Sequence, residues 1–188
     1  GIHTAPPDLA QTLVEALADY ARRAEDDALA DYALLLRARL DTRMRRVDDA
    51  LRHANAALEG FRDRNDRVRQ GETLNQLAML SLHKRDVKAA NQYVDEATRA
   101  SNIPPVKAHA QFIRGLLAKG ERKPARAAEA FAAAAKAAVD AGNPVLALEA
   151  RLNQGESLII GGRPADARDP LRQARDAARG MRAKHLER

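Results

Sequence analysis

The 188-residue chain has no cysteine, no tryptophan, and only three Phe and three Tyr. Without cysteine there is no disulfide framework, no thiolate zinc site and no cysteine nucleophile. That absence does not separate cytosol from periplasm; the compartment stays open, with the cytoplasm the preferred of the two. Strand formers are scarce as well: eight Val, five Ile and five Thr stand against 41 Ala. This balance starves β-sheets and favours helices, which argues against a β-rich fold and an α/β sheet enzyme. No apolar run approaches the roughly 20 residues of a membrane span. Only three serines occur, at 81, 101 and 157, and none lies in a GxSxG elbow.

Apolar residues make up 45% of the chain and charged residues 31%, the balance of a folded domain with one sizeable core. The net charge of +6 is uneven. Residues 1–100 hold 16 Lys/Arg against 17 Asp/Glu, and residues 101–188 hold 16 against 9. The basic second half points to an acidic partner, an anionic surface or nucleic acid, or to a merely solvated face.

An internal repeat organises most of the chain. Small residues recur as Ala38, Ala50, Ala57; Ala78, Ala90, Ala97; Gly115, Ala127, Ala134; and Gly155, Ala167, Ala174. Within each set the spacings are 12 and 7, and the first member advances by 40, 37 and 40. Each set reads as two helices crossing closely, since a larger side chain would force them beyond the usual 8–10 Å. Gly and Pro in Lys119-Gly120-Glu121-Arg122-Lys123-Pro124 and Gly161-Gly162-Arg163-Pro164 mark helix ends and starts. The pattern predicts helices at 8–24, 28–43, 47–62, 66–83, 86–101, 105–119, 124–141, 145–160 and 164–182, with Asp8 as the first N-cap and Asp26/Asp27 and Asp48/Asp49 capping helix starts.

These segments resemble tetratricopeptide repeats (TPR). Gly155, Gly162, Ala167, Leu171 and Ala174 match that family's small residue at position 8, Gly at 15, Ala at 20, large apolar residue at 24 and Ala at 27. Gly115, Ala127, Phe131 and Ala134 match with the Gly displaced to Gly120, and Ala78, Ala90, Val94 and Ala97 also match. The first copy is the most degenerate, with Ala54 at position 24. The long repeat is similar to that of kinesin light chains, adaptor-binding polarity scaffolds and bacterial regulators with sensor repeats. The resemblance implies an all-α, right-handed solenoid of about four TPR-like hairpins plus an N-terminal helix. The expected division is a linker at 1–7, an N-terminal helix at 8–27 (a cap or half repeat), repeats at about 28–64, 66–102, 105–142 and 145–182, and a tail at 183–188.

The five histidines, at 3, 53, 83, 109 and 185, show no metal-ligand spacing. Gly161-Gly162-Arg163 lacks the Walker spacing, and no carboxylate pair has the partners of a catalytic cleft. The expected function is therefore non-enzymatic, without metal or cofactor: a scaffold that binds a peptide or partner helix on a concave face. The resemblance implies that this face carries Arg39, Thr42, Arg43, Asn75, Met79, His83, His109, Phe112, Leu116, Leu152, Glu156 and Ile160. Leu35 and Arg39 stand where chaperone-binding relatives carry a carboxylate-clamping Lys and Asn, so no such clamp is expected. Arg168, Arg172, Arg175, Arg179 and Arg182 form a stripe along the last helix, opposite Ala167, Leu171, Ala174, Ala178 and Met181. The stripe reads first as a solvated cap on the stack, next as a site for an acidic protein, and last as a nucleic-acid contact. A sensor or regulatory part of a larger bacterial signalling or transcription protein is the alternative function, and self-assembly through the solenoid ends is a further one. Replacing Gly155 with Leu is expected to overpack its crossing, and Gly155→Ala to be milder because Ala fills that position in the first two repeats.

Overall fold

The computed structural model describes residues 7–186 of the backbone and the side chains of 9–181. The described residues form nine helices: α1 (Pro7–Arg23), α2 (Asp27–Arg43), α3 (Val47–Asp63), α4 (Arg67–His83), α5 (Val87–Ala100), α6 (Pro104–Gly120), α7 (Pro124–Asp140), α8 (Pro144–Ile160) and α9 (Pro164–Leu186). The sequence-predicted ends agree to within one residue except at the end of α9. Helices α2/α3, α4/α5, α6/α7 and α8/α9 pack as hairpins, and α1 packs on α2. The fold is an all-α solenoid of helical hairpins. It falls into two compact units divided between Ser101 and Asn102, α1–α5 and α6–α9.

A common turn sets the repeat length. At seven of the eight junctions the second of three turn residues has a positive φ: Glu25, Arg45, Asn65, Arg85, Arg122, Gly142 and Gly162. The third residue donates its N–H to a carbonyl five residues back at 2.8–3.0 Å, as Arg46 does to Asp41 and Arg163 to Leu158. This Schellman closure satisfies carbonyls that the helix end leaves open. Seven of the helices are 17 residues long, so a helix and its turn make a 20-residue unit. Helix α5 has only 14 residues, which produces the single 37-residue step. Its exit is extended at Ser101 (φ −150°, ψ 139°), and the residue before Pro104, Ile103, is extended too (ψ 153°).

Three sequence-based expectations about helix ends need correction. Gly120 is the last residue of α6, and Arg122 takes the left-handed position. Helix α1 begins at Pro7, so Asp8 lies inside it, and the N-cap of α3 is Arg46, not an aspartate. Asp49 pairs with Arg52 and Asp48 with Lys84 instead. Asp26 does cap α2, accepting from the Leu29 N–H.

The anchor residues are all buried, as close helix approach requires: Ala38, Ala50, Ala57, Ala78, Ala90, Ala97, Gly115, Ala127, Ala134, Gly155, Ala167 and Ala174. Volume is shared between positions 8 and 24. A Cβ on Gly115 would lie 2.6 Å from the Phe131 ring, and one on Gly155 would lie 2.6 Å from Leu171. The first two hairpins carry Ala38 with Ala54 and Ala78 with Val94, a larger residue at one position and a smaller one at the other. Even an Ala at 155 has to displace Leu171, the larger residue that stands where the second hairpin has Val94.

The end helices differ in what they leave open. Ala135 and Ala138 of α7 pack against Ala150 and against Leu146 and Ala147 of α8, the helix that follows. The equivalent residues of α9, Arg175 and Ala178, are exposed, because no described helix follows. Ala178 therefore does not belong to the packed side, although Ala167 and Ala174 do. Helix α1 buries Ala10, Val14 and Ala21, at the register where α3 buries Ala50, Ala54 and Phe61. Its Leu9, Leu13 and Tyr20 are exposed.

Candidate functional site

Within each hairpin the first helix presents the residues assigned to the inner face. In the first unit these come from α2 and α4, and polar contacts join them. Arg39 and Glu72 form an ion pair at 3.0 Å. The Gln76 amide donates to the Thr42 hydroxyl at 2.7 Å, and that hydroxyl donates to the Ala38 carbonyl at 2.8 Å. Arg43 and His83 are exposed, and Met79 is half-buried. Asn75 is a correction. It is only 5% exposed, inside the helix packing and not on a binding surface. Leu35, the clamp position, is buried with Ala57 and Phe61.

In the second unit the face comes from α6 and α8. The Lys119 ammonium bridges the two helices, donating to Glu156 at 2.8 Å and to Asn153 at 3.2 Å. Exposed apolar side chains surround this bridge on α8: Leu152 is 46% exposed and Ile160 63%. Ile159, which sequence reasoning left out, is 52% exposed at the end of the same helix. Its signal was its position, one residue before Ile160 and four after the Gly155 anchor. Phe112 and Leu116 are half-buried and belong partly to the core: Phe112 meets Phe131 edge-on at 5.4 Å between ring centroids. His109 is exposed, its Nδ1 3.0 Å from the Pro105 carbonyl.

The first hairpin also hides a polar cluster that the sequence did not announce. Asp41, 1% exposed, accepts from His53 at 2.8 Å and faces the Arg46 guanidinium at 3.4 Å. The matching residues of the other hairpins are Ser81, Ala118 and Leu158, so the only signal was an acid at a position otherwise small or apolar.

The arginine stripe is exposed at Arg168, Arg172, Arg175 and Arg179. Arg172 pairs with Asp169 and Arg175 with Asp176, both on α9 itself. The Arg182 side chain lies outside the described residues, as do His3 and the side chain of His185. Among the described residues no three acidic or histidine side chains are grouped to hold a metal, and no helix is long and apolar enough to cross a membrane.

Solved structures share the overall fold of repeated helical hairpins. The fold is TPR-like. It is similar to BtubC (BKLC) from P. vanneervenii, at 20% identity over 94% of this chain and 74% of that one, with a TM-score of 0.72. It is also similar to the MamA protein, at 17% identity over 88% of this chain and 90% of that one, with a TM-score of 0.55. No family model matches the sequence, and no curated protein matches it by sequence.

Proposed function

We propose that the chain is a non-enzymatic protein-interaction module that holds a peptide or partner helix on the inner face of its hairpins. The observation that carries this reading is the trio Leu152, Ile159 and Ile160, large apolar side chains left 46–63% exposed on α8 next to the Lys119–Glu156 bridge. Apolar anchors beside a few polar groups are what an amphipathic helix or extended peptide needs from its receptor. The proposed repeats are at about 28–64, 66–102, 105–142 and 145–182, within residues 28–182, and each unit carries its own inner face. On the first unit Arg39, Thr42, Arg43 and His83 supply polar contacts and Met79 an apolar one; on the second His109 and Glu156 supply polar contacts, and Leu116 and Phe112 contribute only through their exposed edges.

Selection of a phage-displayed random peptide library against the intact chain tests this. Peptides with spaced apolar residues are the expected outcome, and binding should fall at least about tenfold in a Leu152→Ser/Ile160→Ser variant. Selected peptides that bind this variant as tightly as the parent would overturn the reading.

A further inference from the structure

Each of the seven tight turns has the same backbone, so local chemistry asks the same residues of each. The left-handed position favours Gly or Asn, and the N-cap that follows favours Asp, Asn, Ser or Thr. A positive side chain at a helix N-terminus opposes the dipole. The turns that lead from one hairpin to the next satisfy these demands or come close: Glu25-Asp26, Asn65-Asp66 and Gly142-Asn143. Asp26, Asp66 and Asn143 each accept a backbone N–H as caps.

The turns inside the hairpins depart from these demands more often, although Asp86 caps α5 and Gly162 takes a left-handed position. They read Arg45-Arg46, Arg85-Asp86, Arg122-Lys123 and Gly162-Arg163, with six basic residues in eight places. Arg46 and Lys123 make no side-chain cap. Three of the four left-handed positions are arginine where glycine is least strained. A left-handed arginine at the same point of the first three hairpins marks a surface shaped by something other than folding. Arg46 faces the buried Asp41, which accounts for that residue, but Lys123–Glu121 and Arg163–Asp166 are exposed pairs of the kind that contribute little, and they do not account for the rest.

Within each unit these turns are neighbours. In the first, Lys84 of the second turn bonds Asp48 at the start of α3, at 2.9 Å. In the second, Lys123, Arg126, Gly161 and Arg163 line one groove of about 440 Å³. We infer that the intra-hairpin turns form a basic edge on each unit that docks an acidic segment of a partner protein. Guanidinium forks match carboxylates in a bidentate geometry. The acids Asp48, Asp86, Glu121 and Asp166 are interspersed among the cations, so the edge offers separate cationic places for single carboxylates and no continuous positive track for a phosphate backbone. No aromatic residue lies in these turns to stack a base. This edge lies at the hairpin ends and is distinct from the inner face proposed above.

The triple variant Arg45→Gly/Arg85→Gly/Arg122→Gly separates binding from folding. Glycine relieves the left-handed backbone, so the melting temperature should rise. Affinity for a fluorescein-labelled Glu-Gly repeat peptide, read by anisotropy, should fall about tenfold or more. A charge-matched control, Arg52→Gln/Arg99→Gln/Lys136→Gln, should keep peptide binding, as should Leu152→Ser/Ile160→Ser. The inference is overturned by absence of peptide binding to the parent chain, by equal loss in the charge-matched control, or by undiminished binding in the glycine variant. Tighter binding to random duplex DNA than to the peptide at the same salt would overturn the choice of an acidic protein.

Discussion

At Gly155 the missing side chain is the function of the residue. The space its Cβ would take is filled by Leu171, and Gly115 stands in the same relation to Phe131. Gly155→Ala should cost about 1–3 kcal/mol in urea unfolding, since a well-packed crossing must open to admit it. Adding Leu171→Val, which copies the Ala78/Val94 pair, should recover a measurable part of that loss. An unchanged urea midpoint for the single variant would remove the volume argument. Asp66 is a second residue with a definite prediction. Partial burial works to raise its pKa, but hydrogen bonds and attraction from Arg69 outweigh it and hold the carboxyl below its usual value. The ionised group is therefore bound more strongly in the folded state. Its contribution is present above the unfolded pKa and is lost as pH falls through the folded one. Asp66→Ala should cost about 1 kcal/mol at neutral pH. The gap to the parent should close below about pH 3.8, the ordinary value from which the folded group departs downward. A gap that persists unchanged at still lower pH would contradict the assignment.

The helices differ mainly in which face a neighbour covers. Helix α7 buries Ala135 and Ala138 against α8, whereas α9 carries Arg175 and Ala178 at those places and leaves them open. The stripe on α9 should thus behave as a solvated surface as far as stability is concerned. Arg168→Gln/Arg175→Gln should move the unfolding free energy by less than about 1 kcal/mol, by circular dichroism in urea. A larger loss would mean that these side chains pack on something. Helix α9 also contains Pro170 in its interior, where the lost N–H and the ring clash usually kink a helix. Pro170 is buried all the same, so packing holds the segment helical where propensity disfavours it.

For the molecule as a whole, the seven shared turns make each hairpin a near copy of the next, and the exception is the α5–α6 junction. There the helix is three residues short and the chain is extended up to Pro104. Repeat proteins draw their stability from each unit and its nearest neighbours. Residues 102–188, two hairpins with their own core around Phe131, should therefore retain a helical spectrum and a cooperative melt when produced alone. A fragment with a random-coil spectrum would show that the second unit needs the first.

Most of the architecture was legible before any coordinate, because a helix crossing leaves room only for Gly or Ala and the resulting period of small residues survives in sequence. Helix ends were legible for a related reason: the turns are short and repeat every 20 residues. The site was less so. Position relative to an anchor placed Leu152, Glu156 and Ile160 on an exposed face, but it also placed Asn75 there, and the packing of α4 buries that residue. Side-chain burial depends on the size of neighbours contributed by other helices, which no single helix's pattern contains. For the same reason the Asp41–His53 contact and the fit of Leu171 over Gly155 were not readable in advance. The repeat, the turns and the small-residue crossings can be read from the chain order alone, since they follow from local sterics. Which side chains stay exposed becomes visible only in the packed helices, since it is set by what their neighbours leave uncovered.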